Sequence, residues 1–363
     1  MFSHSIIEKR RTHALELVQI GLDAIDPKFV TRQAIRQLQG QLNLENCTVF
    51  AFGKAALGMT QGLLAEISPQ KGLVHCFEQG QLGPLKLVKS NHPLPAPDAA
   101  QRGKDVFELA QSLKSNDIAI CLVSGGGSSM LEYPKVGISM EQIKQESDKL
   151  MKLGADINTL NARRKELSAI KGGGLAQALK PATVITILIS DTPGAPIETV
   201  ASGPSLPSDI TIVAADHLTL QQAILKADPN LRVLPELLTG EARVMGSLLA
   251  QETPGFIATG ETTVSVVGNG RGGRNHELIL GALQKWKQTN ESNGLLLSIG
   301  TDGIDGSSDA AGAFCDEDIL SKASNPTKAL QHNDSHHYFQ ALNAQIKTGP
   351  TGSNVADLVI SLS

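Results

Sequence analysis

Three times in this sequence an apolar, β-rich run stops on a glycine-dense loop that carries hydroxyls or charges. Ile118–Val123 meets Ser124-Gly125-Gly126-Gly127-Ser128-Ser129, and Val264–Val267 meets Gly268-Asn269-Gly270-Arg271-Gly272-Gly273-Arg274-Asn275. Leu295–Ile299 meets Gly300-Thr301-Asp302-Gly303-Ile304-Asp305-Gly306-Ser307-Ser308-Asp309. Strands alternating with helices imply a mostly parallel, doubly wound α/β sheet. Ligands bind at the ends of such strands, where glycine lets backbone N–H groups approach an anion. One such loop is weak evidence, because a tight turn also needs glycine. Three of them, basic and acidic, point to a polyanion bound together with a metal, and so to phosphoryl transfer.

The rest of the chain supports that frame. Ala14, Leu17, Val18, Gly21, Leu22 and Ile25 recur at helical spacing, and Asp26-Pro27 ends that helix. Thr48–Phe52 predicts a buried strand that turns at Gly53-Lys54 into a helix through Ala55–Leu64. Leu73–Phe77 and Leu85–Val88 predict two further short strands. Asn91–Pro97 reads as a rigid connection, with a helix from Asp98 to about Leu113. Helices are expected over Met140–Leu153 and Asn158–Ile170, with a break at Gly172-Gly173-Gly174. Thr183–Ile189, the most β-branched run, predicts a central strand emptying into the loop Ser190–Ser208. The domain junction is expected between Asp209 and Glu252, dividing the chain into residues 1–235 and 236–363. Beyond it, Phe256–Thr259 and Thr263–Val267 are expected to pair. A helix over Glu277–Trp286 and the Leu295–Ile299 strand belong to a second, smaller α/β domain.

Composition removes several alternatives. A net charge of −4 gives no general attraction to nucleic acid or an anionic membrane, so an anion must be held by local charge. One tryptophan and two tyrosines make base-stacking platforms improbable. No stretch approaches ~20 uninterrupted apolar residues, and Glu8-Lys9-Arg10-Arg11 precede no apolar signal core. The four cysteines form no C-x-x-C; Cys47 and Cys121 read as buried thiols, which fits a reducing cytoplasm. The nine histidines make no metal set, and His336-His337 reads as a helix start. There is no Walker P-loop, no G-x-S-x-G elbow and no dinucleotide fingerprint. Oligomeric state stays open, a homodimer included.

Each candidate for chemistry has a plainer alternative. Lys54, at a strand-to-helix turn, can reach phosphate oxygens or sit in solvent. Ser124, Gly125, Gly126, Gly127 and Ser128, with Ser129, supply N–H groups and hydroxyls suited to a phosphate, where a mere turn needs fewer glycines. Asn161, Arg163, Arg164, Lys165 and Lys171 make a basic helical stretch, either solvated or turned toward substrate. Asp191 can hold Mg²⁺, accept a hydroxyl proton or cap an Asx turn. Ala201-Ser202-Gly203-Pro204 adds hydroxyl and backbone groups downstream. Arg271 and Arg274, uncovered by their glycines, suit bidentate anion recognition. Asp302, Asp305 and Asp309 resemble an oxygen-ligand set for a hard cation, without EF-hand spacing.

Taken in order, nine motifs resemble the type II glycerate kinases. They are Val49–Leu57, Asn91–Pro95, Val123–Leu131, Leu160–Ala176, Ile189–Pro204, Gly260–Val264, Gly270–Glu277, Ile299–Gly312 and Thr348–Leu358. The resemblance covers nearly the whole chain. It implies ATP- and Mg²⁺-dependent phosphorylation of D-glycerate at its 2-hydroxyl. It further implies a Rossmann-like glycerate-kinase domain, a C-terminal MOFRL domain and an active site in the cleft between them. Lys54, Arg271, Arg274, Asp191 and Asp302 fall on the family's functional positions. Two departures stand out: the Ser208–Glu261 segment is shorter than in the family pattern, and Glu166 stands where a histidine is usual. The competing readings are an NAD(P)H-dependent hydroxypyruvate reductase and a non-catalytic sensor of three-carbon acids.

Overall fold

The computed structural model describes residues 4–91, 98–154 and 157–363, so the expected rigid connection at 92–97 lies outside the described part. It divides into two compact units. One is Pro27–Ala215; the other is Asp216–Ser363 together with the chain up to Asp26. The division at Ala215–Asp216 falls within the expected Asp209–Glu252 junction, ahead of 235/236, while the first helix, expected in the N-terminal domain, lies with the C-terminal unit.

The Pro27–Ala215 unit is built on seven strands: β1 Thr48–Phe52, β2 Lys71–Cys76, β3 Gly80–Leu82, β4 Leu85–Lys89, β5 Ile118–Ser124, β6 Thr183–Ile189 and β7 Ile210–Ala215. Their order is β3-β4-β2-β1-β5-β6-β7, and every pairing is parallel except β3 with β4. The chain winds outward from β1 in one direction and outward from β5 in the other. The sheet therefore reverses between β1 and β5, the position at which open α/β sheets bind ligands. All five residues of β1 are buried. Phe50, Phe52, Cys121 and Val123 pack with Leu175 and Leu179 in one core, and each large apolar side chain so buried contributes about 1.5–3 kcal/mol. β6 is an interior strand but lies next to the edge rather than at the centre. β7, where the sequence shows no clear periodicity, forms that edge.

The second unit carries β8 Arg232–Val233, β9 Phe256–Gly260, β10 Leu295–Gly300, β11 Gly312–Cys315, β12 Gln345–Ile346 and β13 Asp357–Leu362. The order β12-β11-β10-β13-β9-β8 is antiparallel except between β8 and β9. Helix Arg274–Thr289 buries Leu278, Ile279, Leu283 and Trp286 in this unit's core, and the Trp286 indole donates to the Ala250 carbonyl at 3.0 Å. The first helix, His4–Ala24, is bound here by charge. Arg10 pairs with Glu317, and Arg11 donates to both oxygens of Asp316 at 2.6 and 3.0 Å.

Val264–Val267 is not a strand, and the expected pairing with Phe256–Thr259 does not form; β9 pairs with β13 and β8 instead. Side chains replace the strand's ladder. Ser265 N–H donates to Glu241, and the N–H groups of Val267 and Gly268 both donate to Asn333 Oδ1 at 2.8 and 2.9 Å. Satisfied in this way, the backbone has no need of a sheet partner, and valine's β preference is overridden.

Among the described residues no helix is long and apolar enough to cross a membrane. All four cysteines are buried free thiols, and His336-His337 open the helix Ser335–Ala341.

Candidate active site

Register brings the first cluster together. Phe52 lies opposite Val123, and Ser124 lies opposite Ile189. The loops leaving β1, β5 and β6 therefore emerge side by side. The Lys54 N–H donates to the Gly125 carbonyl at 2.8 Å, and the Ala55 N–H to Ser124 Oγ at 3.0 Å. Gly53, at φ +121°, permits this clasp: a Cβ there would lie 2.3 Å from Ser124 Oγ. The Asp191 carboxylate packs directly on Gly125, where a Cβ would meet its Oδ2 at 1.8 Å. Any side chain at position 125 would thus displace Asp191. The Lys54 ammonium makes no hydrogen bond or ion pair among the described residues. It is half-buried.

The third wall of this cluster is strained. Ala201, Ser202 and Gly203 are consecutive left-handed residues, at φ +51°, +65° and +58°. For alanine and serine this conformation costs about 1–2 kcal/mol each. It is held by hydrogen bonds from Gly172 N–H to the Ser202 carbonyl and from Gly173 N–H to the Gly203 carbonyl, both 2.9 Å. The result brings the Ser202 hydroxyl within 2.9 Å of Ser128 Oγ. Ser202 is the residue whose position the sequence understates, since nothing in a Ser-Gly-Pro run announces a positive φ.

The basic helix Ile157–Leu167 distributes its charges. Arg163 pairs with Glu146 and Glu166, so Glu166 at the unusual position serves a surface ion pair. Lys165 donates to the Glu198 carbonyl at 3.4 Å, and Arg164 donates from Nε to Ser147 Oγ at 3.2 Å. Arg164 and Asn161 are half-buried. Lys171 departs from the expectation of a substrate-facing end. It is buried in an ion pair with Glu132. Burial pulls its ammonium below the ordinary range, and the Glu132 carboxylate opposes that pull.

In the second unit the charged glycine loops are largely turned on each other. Arg274 donates to both oxygens of buried Asp357 at 2.6 and 3.0 Å and to Glu261 at 2.5 Å. Burial pushes the Asp357 carboxyl up to about 6, against the pull of that arginine. Arg274 is thereby a clamp between β13 and the loop after β9, not an open anion receptor. Asp305, Asp302 and Asp309 do not converge on one point. Asp305 caps the helix Arg274–Thr289, accepting from the N–H groups of Asn275 and His276 at 3.0 and 2.8 Å and from His276 Nδ1 at 2.6 Å. Asp309 pairs with Lys347. Asp302 Oδ1 accepts only the Ile304 N–H, at 3.2 Å, among the described residues. No group of three metal-ligating side chains occurs among them. Arg271 is exposed, and its Nε and Nη2 donate to the Ser307 carbonyl at 3.2 and 2.8 Å. Among the described residues its Nη1 makes no hydrogen bond. A cavity of about 720 Å³ opens within this unit, lined in part by Val264, Val266, Arg274, Asp302 and Ile304.

Known proteins resemble this chain along nearly its whole length. Residues 13–236 match a family described as a domain of unknown function, DUF4147, and residues 255–357 match the MOFRL family. A D-glycerate 2-kinase of Thermotoga maritima is 30% identical over 98% of this chain and 99% of its own. The crystal structure of a glycerate kinase from the same organism superposes with a TM-score of 0.87, at 30% identity, over 98% of this chain and 99% of that one. An Agrobacterium vitis protein with a provisional hydroxypyruvate reductase name is 31% identical over 86% of this chain and 98% of its own.

Proposed function

The chain belongs to the type II glycerate kinase family, and from that premise we propose that it transfers the γ-phosphoryl group of ATP to the 2-hydroxyl of D-glycerate, giving 2-phosphoglycerate and ADP. The observation that carries this reading is the Lys54 ammonium. Among the described residues it has no hydrogen-bond or ion-pair partner, and it stands on a loop clasped to Ser124 and Gly125 at the sheet's reversal, with Asp191 packed on Gly125. Phosphoryl transfer asks a protein mainly for positioning and charge neutralisation, which a preorganised cation and loop N–H groups supply.

Lys54 and Arg271 would neutralise the transferring phosphoryl group, and the Ser124–Ser128 loop would hold phosphate oxygens. Arg164, with its terminal nitrogens beyond the Ser147 contact, and Asn161 would receive the glycerate carboxylate and hydroxyls. Asp191 would accept the proton of the attacking 2-hydroxyl. Lys171 and Arg274 serve the scaffold. Mg²⁺ fits the donor set: it usually binds one or two carboxylates and takes its other ligands from water and phosphates. Asp302, held by a single N–H, and Asp191 are the carboxylates that would hold it. When bound, the ion draws off phosphate charge.

Incubation with D-glycerate, Mg²⁺ and ATP, followed by phosphorus NMR, tests the proposal. A phosphate coupled to the single C2 proton gives a doublet, and phosphorylation at the terminal carbon gives a triplet. Unconsumed ATP would sink the reading. The Agrobacterium relative keeps a second reading in play, and oxidation of NADH or NADPH by hydroxypyruvate, followed by absorbance, decides it. No dinucleotide fingerprint supports it.

A further inference from the structure

We propose that the cavity in the MOFRL unit is a nucleoside subsite, receiving the base and ribose of the nucleotide rather than its phosphates or the glycerate. The inference rests on the kinase reading above and assigns one of its substrates to a particular place.

Charge gives the first argument. The ionisable side chains lining this cavity are Arg274, Glu277, Asp302 and Asp305, one cation against three carboxylates. The cation is already engaged by Asp357 and Glu261. Glu277 is held by Arg243 and Asn333, and Asp305 by the helix terminus it caps. Among the described residues the lining itself then keeps no uncommitted cation. Arg271, bonded to the Ser307 carbonyl, stands beside it and not in it, so the cavity's own acidic wall disfavours a bare phosphate chain or a carboxylate. The helix N-terminus, which could otherwise attract an anion, is filled by Asp305.

Size and surface give the second. About 720 Å³ lies within the ~300–1,000 Å³ range of small-molecule sites. A three-carbon acid would occupy only a corner of it. The walls include Val264, Val266 and Ile304, and the latter two remain 75% and 47% exposed. β-Branched side chains left in water around a concavity suit the flat face of a heterocycle. Thr262, Thr263 and Ser307 stand on the same lining; the Thr263 and Ser307 hydroxyls donate to the Gly240 and Gly272 carbonyls at 3.2 and 3.3 Å, which leaves their oxygens to accept from a neutral polar ligand. A nucleoside has both an apolar face and neutral hydrogen-bonding edges. Asp302, at the same lining, would then meet the Mg²⁺ that accompanies the phosphates.

The test is calorimetric titration of adenosine, MgADP and D-glycerate into the wild-type chain and into Val266→Asp and Ile304→Asp. These positions are exposed, and circular dichroism checks that the fold is kept. The expected result is a Kd for adenosine and MgADP raised about tenfold or more in each variant, as lost apolar contact and added negative charge imply. Glycerate binding should not change. Unchanged nucleoside affinity in both folded variants overturns the assignment, and so does a loss of glycerate affinity alone. If the wild-type chain binds no nucleotide and consumes no ATP, the kinase reading falls with it. If it turns over ATP while the variants bind adenosine normally, only the subsite assignment falls.

Discussion

The glycine-rich loops of the two units use the same residue types to different ends. In the Pro27–Ala215 unit, glycines at 53 and 125 let two loops interlock through backbone groups, so the lysine between them is not needed for the scaffold. In the MOFRL unit the loops also share backbone hydrogen bonds, such as Ser307 N–H to the Gly272 carbonyl, but several of their charges are spent as fasteners: Arg274 on Asp357 and Glu261, Asp305 on the helix terminus, Asp309 on Lys347. A charge in a glycine loop is open to a ligand where it does not also fasten the scaffold.

Removing one fastener should therefore unfold more than it inactivates. Arg274→Ala leaves Asp357 buried without its partner, and breaking a buried pair from one side costs about 3–5 kcal/mol. Chemical denaturation followed by Trp286 fluorescence reads this unit, because the chain has no other tryptophan. A midpoint that does not move would place Arg274 back among the ligand-binding groups. Lys54→Ala is the mirror case. The denaturation midpoint should hold, while kcat falls about 10²–10³-fold, or roughly 2.7–4 kcal/mol of transition-state stabilisation. Wild-type turnover in that variant would erase the contrast between the units.

Much of the first unit was legible because its strands are buried on both faces. Thr48–Phe52, Ile118–Val123 and Thr183–Ile189 are unbroken apolar or β-branched runs, and each is a strand with nearly the predicted bounds. β7 was not legible. Ile210–Ala215 is a half-exposed edge whose residues alternate in burial but hardly in polarity. Val264–Val267 misled in the opposite direction, since Asn333 and Glu241, distant in sequence, take the hydrogen bonds a neighbouring strand would have made. The motifs put Lys54, Ser124 and Asp191 on strand-end loops, and the structure brings those loops side by side. The engagement of Lys171 and Arg274 depends on Glu132 and Asp357, which no local spacing connects to them. The left-handed Ala201-Ser202 pair depends likewise on Gly172 and Gly173.

Acid offers a way to sharpen the comparison by stability rather than activity. His75, on β2, is buried, with Nδ1 3.2 Å from Ser90 Oγ. Burial, with Arg102 nearby, pushes its imidazole down to about 4 from an ordinary 6.5. Between those values the unfolded chain binds the proton and the folded chain does not, so stability is intact above pH 6.5 and falls as pH drops toward 4. The full loss is about 3 kcal/mol. His75→Gln changes absolute stability but should flatten this slope. Denaturation midpoints at several pH values, read by circular dichroism, compare the two chains. Equal slopes would mean that His75 is protonated in the fold.

The finest test lies within a single loop, between Asp302 and Asp305. Only two residues separate them, yet Asp305 accepts from two backbone N–H groups and a histidine, while Asp302 accepts one N–H from Ile304. If commitment to the scaffold decides a carboxylate's role, the same Asp→Asn change should act on different quantities. Asp302→Asn removes a formal charge from a proposed Mg²⁺ ligand, so half-maximal activity should require about tenfold more Mg²⁺, near 1.4 kcal/mol. Its denaturation midpoint should stay with the wild type. Asp305→Asn places an amide where two N–H donors converge, so at least one donor loses its acceptor and stability falls. Its Mg²⁺ requirement, measured below the unfolding transition, should be unchanged. Activity as a function of Mg²⁺ at fixed ATP and glycerate, paired with denaturation of each variant, separates the cases. Should Asp305→Asn shift the metal curve and Asp302→Asn leave it in place, the loop's functional carboxylate is the buried one, and the distinction drawn between the two units fails in the MOFRL unit.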